Sequence, residues 1–140
     1  MANAVYNSFK KDSMVGAFNL SADTLRVVLV TSAYTLNIDT HTKYSDITNE
    51  VVGVGYTTSG STLTGVVVSA DLTGDKAVLD ANDVTWTSST ITAAGAVIFK
   101  VNGGAATSPL VGYVDFGGSK TSSNGDFIIQ WNSSGILTLS

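Results

Sequence analysis

Acid–base or metal chemistry in this chain would have to be built around one histidine. His41 lies in "TSAYTLNIDTHTKYSDITNEVVGVGYT" (31–57), with Asp39, Asp46 and Glu50 near it in sequence. A serine hydrolase needs Ser, His and an acid together. His41 is the only candidate base, and no G-x-S-x-G elbow is present. With 17 serines, the presence of any one is uninformative. Zinc and iron sites recruit two or three nitrogens or sulfurs, so one histidine and no cysteine make a poor set. A second acid-rich stretch, "DLTGDKAVLDAND" (71–83), carries Asp71, Asp75, Asp80 and Asp83. It lacks the alternating ligand spacing and the closing glutamate of a calcium loop. Its aspartates are better read as caps of strand-connecting turns. "GVGYTTSG" (53–60) begins like a dinucleotide fingerprint, but the third glycine is misplaced and no βαβ pattern surrounds it. Gly53 and Gly55 suit turns or a bulge instead. Paired carboxylates for glycoside hydrolysis are singled out by no spacing. The expectation is therefore no catalytic, cofactor-binding or metal-ligating residue, and no enzyme.

The aromatic residues carry more information. Tyr34, Tyr44 and Tyr56 all fall in the same long stretch. Tyrosine is enriched at interfaces because it buries area while its hydroxyl keeps a partner. These three are expected to dock the stretch onto a partner, or to pin it to its own domain. Trp86 and Trp131 each have apolar neighbours at i±2 and are read as core. A carbohydrate-binding module would instead expose such rings along one face. Near the N-terminus, Val5, Tyr6, Phe9, Met14 and Phe18 are apolar or aromatic. Residues 1–19 read as an arm that adds a strand to a neighbour, or as the first strands.

The elements that position these residues are strands. "LRVVLVT" (25–31), "TGVVVSA" (64–70), "KAVLD" (76–80), "DVTWTS" (83–88), "GAVIFKVN" (95–102), "PLVGYVDF" (109–116), "DFIIQW" (126–131) and "ILTL" (136–139) are short, β-branched or alternating runs bounded by turn residues. The pattern places Leu110, Val114 and Phe116 on one side of their strand. Helical periodicity is nearly absent; "HTKYSDITNEV" could form one short helix with Thr42 as N-cap. Pro109 opens a strand, where a missing N–H is tolerated. Residues 20–140 therefore predict one antiparallel β-sandwich with a long loop region at 32–63. Eight or more strands without a Cys–Trp–Cys pattern favour a jelly roll over an immunoglobulin-like sandwich.

The chain has 140 residues, enough to bury roughly 70% of the unfolded surface. Its net charge of −4 and scattered seven basic residues argue against a nucleic-acid surface. No apolar run approaches the ~18 residues that span a bilayer, and the first residues lack a signal-peptide layout. Neither nucleic acid nor membrane is expected as a partner, and synthesis in the cytoplasm is. Charged residues are only 13%, with 18 threonines filling much of the surface.

The succession "LRVVLVTSAYT…DTHTKYSD…NEVVGVGYT…STLTG", "LDANDVTW", "AVIFK", "SPLVGYVDFG" and "FIIQWNSSGILTL" resembles small virion proteins of tailed bacteriophages. The resemblance runs from about residue 25 to 140. It implies a capsid decoration or cement protein: a β-rich domain on the outer capsid surface that ties major capsid protein subunits together. It also implies assembly in the host bacterial cytoplasm, and a homodimer or homotrimer on a local symmetry axis. No cofactor follows from it. The competing expectation is a carbohydrate- or receptor-binding module of a tail or head fibre.

Overall fold

The computed structural model describes residues 3–139. Its largest sheet has five antiparallel strands in the order β1 (Ala4–Val5), β8 (Leu110–Thr121), β7 (Thr92–Lys100), β2 (Leu25–Val30) and β3 (Ser61–Thr62). A three-stranded sheet follows the order β10 (Leu137–Leu139), β5 (Lys76–Asp80) and β4 (Val67–Asp71). A third sheet pairs β6 (Val84–Ser89) with β9 (Gly125–Ile129). The chain is an all-β single domain of antiparallel sheets, as its alternating runs predict.

Strand β2 explains the layering. "LRVVLV" does not alternate apolar with polar, because both faces of its sheet are covered. Leu25, Val27 and Leu29 enter one core with Ala96 and Ile98 of β7. Against them pack Leu79 and Leu137 of the three-stranded sheet, and Val84, Trp86, Phe127 and Ile129 of the two-stranded one. Val28 and Val30 face the other way, into a second cluster with Val97, Phe99, Leu110 and Tyr113. That cluster is covered not by a sheet but by Tyr6, Tyr34 and the loop residues Leu36, Ile38, Tyr44 and Ile47.

A bulge decides which core β8 feeds. Phe99 pairs with Leu110 and Ile98 with Gly112, so Val111 is an extra residue. The bulge reverses the alternation. Leu110 enters the second cluster, while Val114 and Phe116 pack against the first. The sequence pattern put all three on one side; it had no signal for the inserted residue.

The first residues hold one element that the strand pattern did not include, a helix. Of the two readings, arm or first strand, Ala4–Val5 forms the first strand of its own sheet, pairing Tyr113 and Gly112. An α-helix, α1 (Asn7–Met14), follows. It has no side-chain N-cap and no acid in its first turn, and Phe9 is its buried residue. Tertiary packing holds it: Phe9 meets Phe18 edge-on at 4.8 Å. One anchor in eight residues leaves no periodicity to read.

Candidate functional site

The residues around His41 converge in space, but on structural tasks. The phenols of Tyr6 and Tyr34 share a hydrogen bond of 2.9 Å, and the Tyr34 hydroxyl lies 2.8 Å from His41 Nδ1. Tyr6 is fully buried and Tyr34 nearly so. Burial pushes the Tyr6 phenol far above the ordinary value of 10.0, and raises that of Tyr34 too. The start of α1 is tied to the same loop: Asn7 N–H donates to Ile38 O at 3.1 Å, and Asn7 Nδ2 to Asp39 Oδ1 at 2.5 Å.

Glu50, the chain's one glutamate, gathers the far end of the loop. Its Oε1 accepts from the Tyr44 hydroxyl, and its Oε2 from the Tyr56 hydroxyl at 2.6 Å and Ser59 N–H at 2.9 Å. Tyr56 in turn accepts from Leu29 N–H at 3.0 Å, which fixes the loop to β2. Tyr44 stacks on Phe99 at 4.5 Å with a 10° interplanar angle. Burial, then the bond to Glu50, raises both phenols. Asn49 and Ser59 adopt left-handed backbone at φ 60° and 80°, a strained conformation that these fixed contacts sustain.

The short helix expected within 41–51 is one 3₁₀ turn, Tyr44–Asp46. Thr42 is not its N-cap. The cap comes from Asp46, whose Oδ2 accepts from Thr42 N–H at 2.9 Å, Lys43 N–H at 3.0 Å and the Thr42 hydroxyl at 3.3 Å. The Thr42 N–H bond, followed by that of Lys43, holds the Asp46 carboxyl below its ordinary 3.8. Of the aspartates of 71–83, Asp71 caps its turn as expected, while Asp83 bonds a residue 48 positions away. Asp71 Oδ1 accepts from Thr73 and Gly74 N–H, and Asp83 Oδ1 from Trp131 N–H. Among the described residues no three His, Cys, Asp or Glu side chains come close enough to share a metal ion.

The eight residues expected at an interface divide unevenly. Tyr6, Phe9 and Tyr34 are buried in their own domain; Val5, Phe18, Tyr44 and Tyr56 are half-buried against it. Met14 alone of the eight is open, at 89% exposure. The arm and the tyrosine loop thus meet each other and their own sheet.

Two features escaped the sequence. One is β4: every residue from Val67 to Ala70 is exposed, and Leu72 at the adjoining hairpin tip is 86% exposed. Its valine-rich run is indistinguishable from a core strand in sequence. The other is a cleft of about 590 Å³ between β8 and β9, walled by Phe116 and Trp131 and edged by Asn3, Lys120, Gln130 and Asn132. A smaller cleft of about 430 Å³, lined by Phe9, Phe18, Val68 and Leu139 among others, lies between α1 and the three-stranded sheet. Among the described residues no helix is long and apolar enough to cross a membrane.

Compared with protein-family models, curated proteins and solved structures, the chain has no match.

Proposed function

We propose that this is a non-enzymatic structural protein of a tailed-phage virion, a decoration or cement protein. In this reading it binds the outer surface of the capsid and strengthens contacts between major capsid protein subunits. The observation that carries it is β4. This strand lies at the edge of its sheet, its residues Val67–Ala70 are exposed, and Leu72 projects beside it. A bare apolar edge strand invites pairing with another chain. The acids and the histidine that chemistry would need are engaged in holding the loop, which supports a role in binding over catalysis. The motif order across residues 25–140 supports the phage assignment, and with it a homodimer or homotrimer; the strand count and the missing Cys–Trp–Cys pattern support a jelly-roll arrangement.

Cementing is linkage: a protein that binds the mature shell better than the immature one stabilises the mature state. Many weak copies multiply the effect. The test is a Val68→Lys variant, which alters an exposed side chain and leaves the core alone. Occupancy on purified capsids should fall about tenfold or more, with loss of the added heat resistance. Unchanged occupancy and heat resistance would remove the reading. Deleting residues 1–12 would be a poor test, since it takes away Tyr6 and Phe9 of the core.

A further inference from the structure

We infer that the cleft between β8 and β9 is a saccharide-binding site, a function separate from the capsid attachment proposed above. Three observations converge on it. First, its walls are aromatic. Phe116 and Trp131 are both half-buried, so part of each ring borders the cleft. Phe116 is backed by Phe127, 6.2 Å away.

Second, Trp131 is held rigidly. Its indole N–H donates to Asn82 O at 2.9 Å, and its main-chain N–H to Asp83 Oδ1 at 3.0 Å. With that N–H engaged elsewhere, what Trp131 offers the cleft is ring surface. A fixed ring costs no ordering entropy when a ligand arrives. The other tryptophan, Trp86, is 6% exposed and purely core.

Third, the rim is amide-rich, and its two charged residues, Asp115 and Lys120, are of opposite sign. Asn3, Gln130 and Asn132 are exposed along it. The Asn3 and Asn132 side chains are steadied through their oxygens, which accept from Asp115 N–H at 2.7 Å and Ser134 N–H at 2.8 Å, so each leaves its NH2 group to the cleft. Amides both donate and accept, so they match hydroxyl groups, which do the same.

These features select a ligand. A phosphate-bearing one needs clustered cations, and among the described residues lining the cleft Lys120 is the one cation, set off by the Asp115 carboxylate. A purely apolar one would strip water from the amides without replacing it. A neutral pyranose has an apolar C–H face for the rings and equatorial hydroxyls for the amides. The volume, about 590 Å³, is within the usual range for small-ligand sites.

The experiment uses the two indole N–H signals in a ¹⁵N-correlation spectrum of the full chain. Maltotriose, cellotriose and chitotriose are each titrated to about 10 mM, which detects millimolar affinity. At least one should shift the Trp131 signal and leave that of Trp86 in place. A Gln130→Ala, Asn132→Asp double variant, which keeps the Asn132 oxygen that accepts from Ser134 N–H and removes the amide donors, should bind about tenfold more weakly. A parallel arm measures retention on insoluble cellulose and chitin. Retention there without a trisaccharide response, lost in the double variant, upholds the site and places its ligand in a polymeric glycan. No Trp131 shift together with no retention overturns the inference, as does binding that the double variant leaves unchanged.

Discussion

The hydroxyl of Tyr6 and the hydroxyl of Tyr34 meet 2.9 Å apart inside the domain, although 28 residues separate them. One belongs to the segment just before α1, the other to the long loop after β2. Their bond closes the two segments over the same face of the five-stranded sheet, above Val28, Val97 and Phe99. What a sandwich ordinarily does with a second sheet, this face does with irregular chain, so side-chain bonds join scattered backbone ones such as Asn7 N–H to Ile38 O in place of a ladder.

The Tyr6–Tyr34 bond should therefore matter more than the histidine beyond it. Tyr6→Phe leaves the Tyr34 hydroxyl without its buried partner and should cost about 1–3 kcal/mol. His41 is half-exposed, so water can replace it, and His41→Ala should cost less than about 1 kcal/mol. Urea unfolding of the two variants gives the comparison. A larger loss for His41→Ala would reopen the case for a site there.

Glu50→Ala should be among the most damaging changes outside the main core. It strands two phenols and the Ser59 N–H together. A loss of about 2–4 kcal/mol is expected, with faster amide exchange across residues 51–60. Glu50→Gln keeps the shape and part of the acceptor capacity, so it should lose less. Equal losses would mean that the carboxylate does not hold the loop.

Much of this architecture was legible in the sequence, and the exceptions share a cause. Strands such as "KAVLD" and "DVTWTS" were readable because burial alternates with a period of two or because turn residues bound them. The turn-capping role of Asp71 followed from the preference of aspartate for turns between strands. The Val111 bulge, helix α1 and the closure of Tyr6 on Tyr34 were not readable. Each depends on contacts between residues far apart in the chain, which leave no local period. The tyrosines of 34–56 were recognisable as anchors, but composition alone could not say whether they anchored a partner or their own sheet.

All five tyrosines have phenols raised above the ordinary 10.0, in each case first through burial. The native state therefore holds its phenol protons after the unfolded chain has begun to lose them. The unfolded state binds fewer protons above pH 10, so stability is full below that pH and falls as pH rises past it. In an alkaline titration, phenolate absorbance should lag behind that of free tyrosine and then rise together with loss of circular-dichroism signal. Ionisation of most tyrosines at their ordinary pH, with the fold intact, would contradict this burial.

Gly60 supplies the sharpest backbone test. Arg26 donates from Nη2 to Gly60 O at 2.7 Å and from Nε to Ser59 O at 2.8 Å, drawing this segment against β2. Gly60 adopts φ +67°, and a Cβ there would lie 1.8 Å from Val27 O. That oxygen belongs to a central strand and cannot retreat without disturbing the pairing of Val27 with Ile98. Gly60→Ala combines left-handed strain with a backbone clash, and a loss of at least about 2 kcal/mol is expected. Gly16→Ala is the control: its φ is +78°, but nothing lies within 4 Å of a Cβ there. It should show only the conformational penalty, about 1 kcal/mol. Thermal melts of the two variants separate strain from collision, and equal losses would mean that the 57–62 segment does not press on β2 as described.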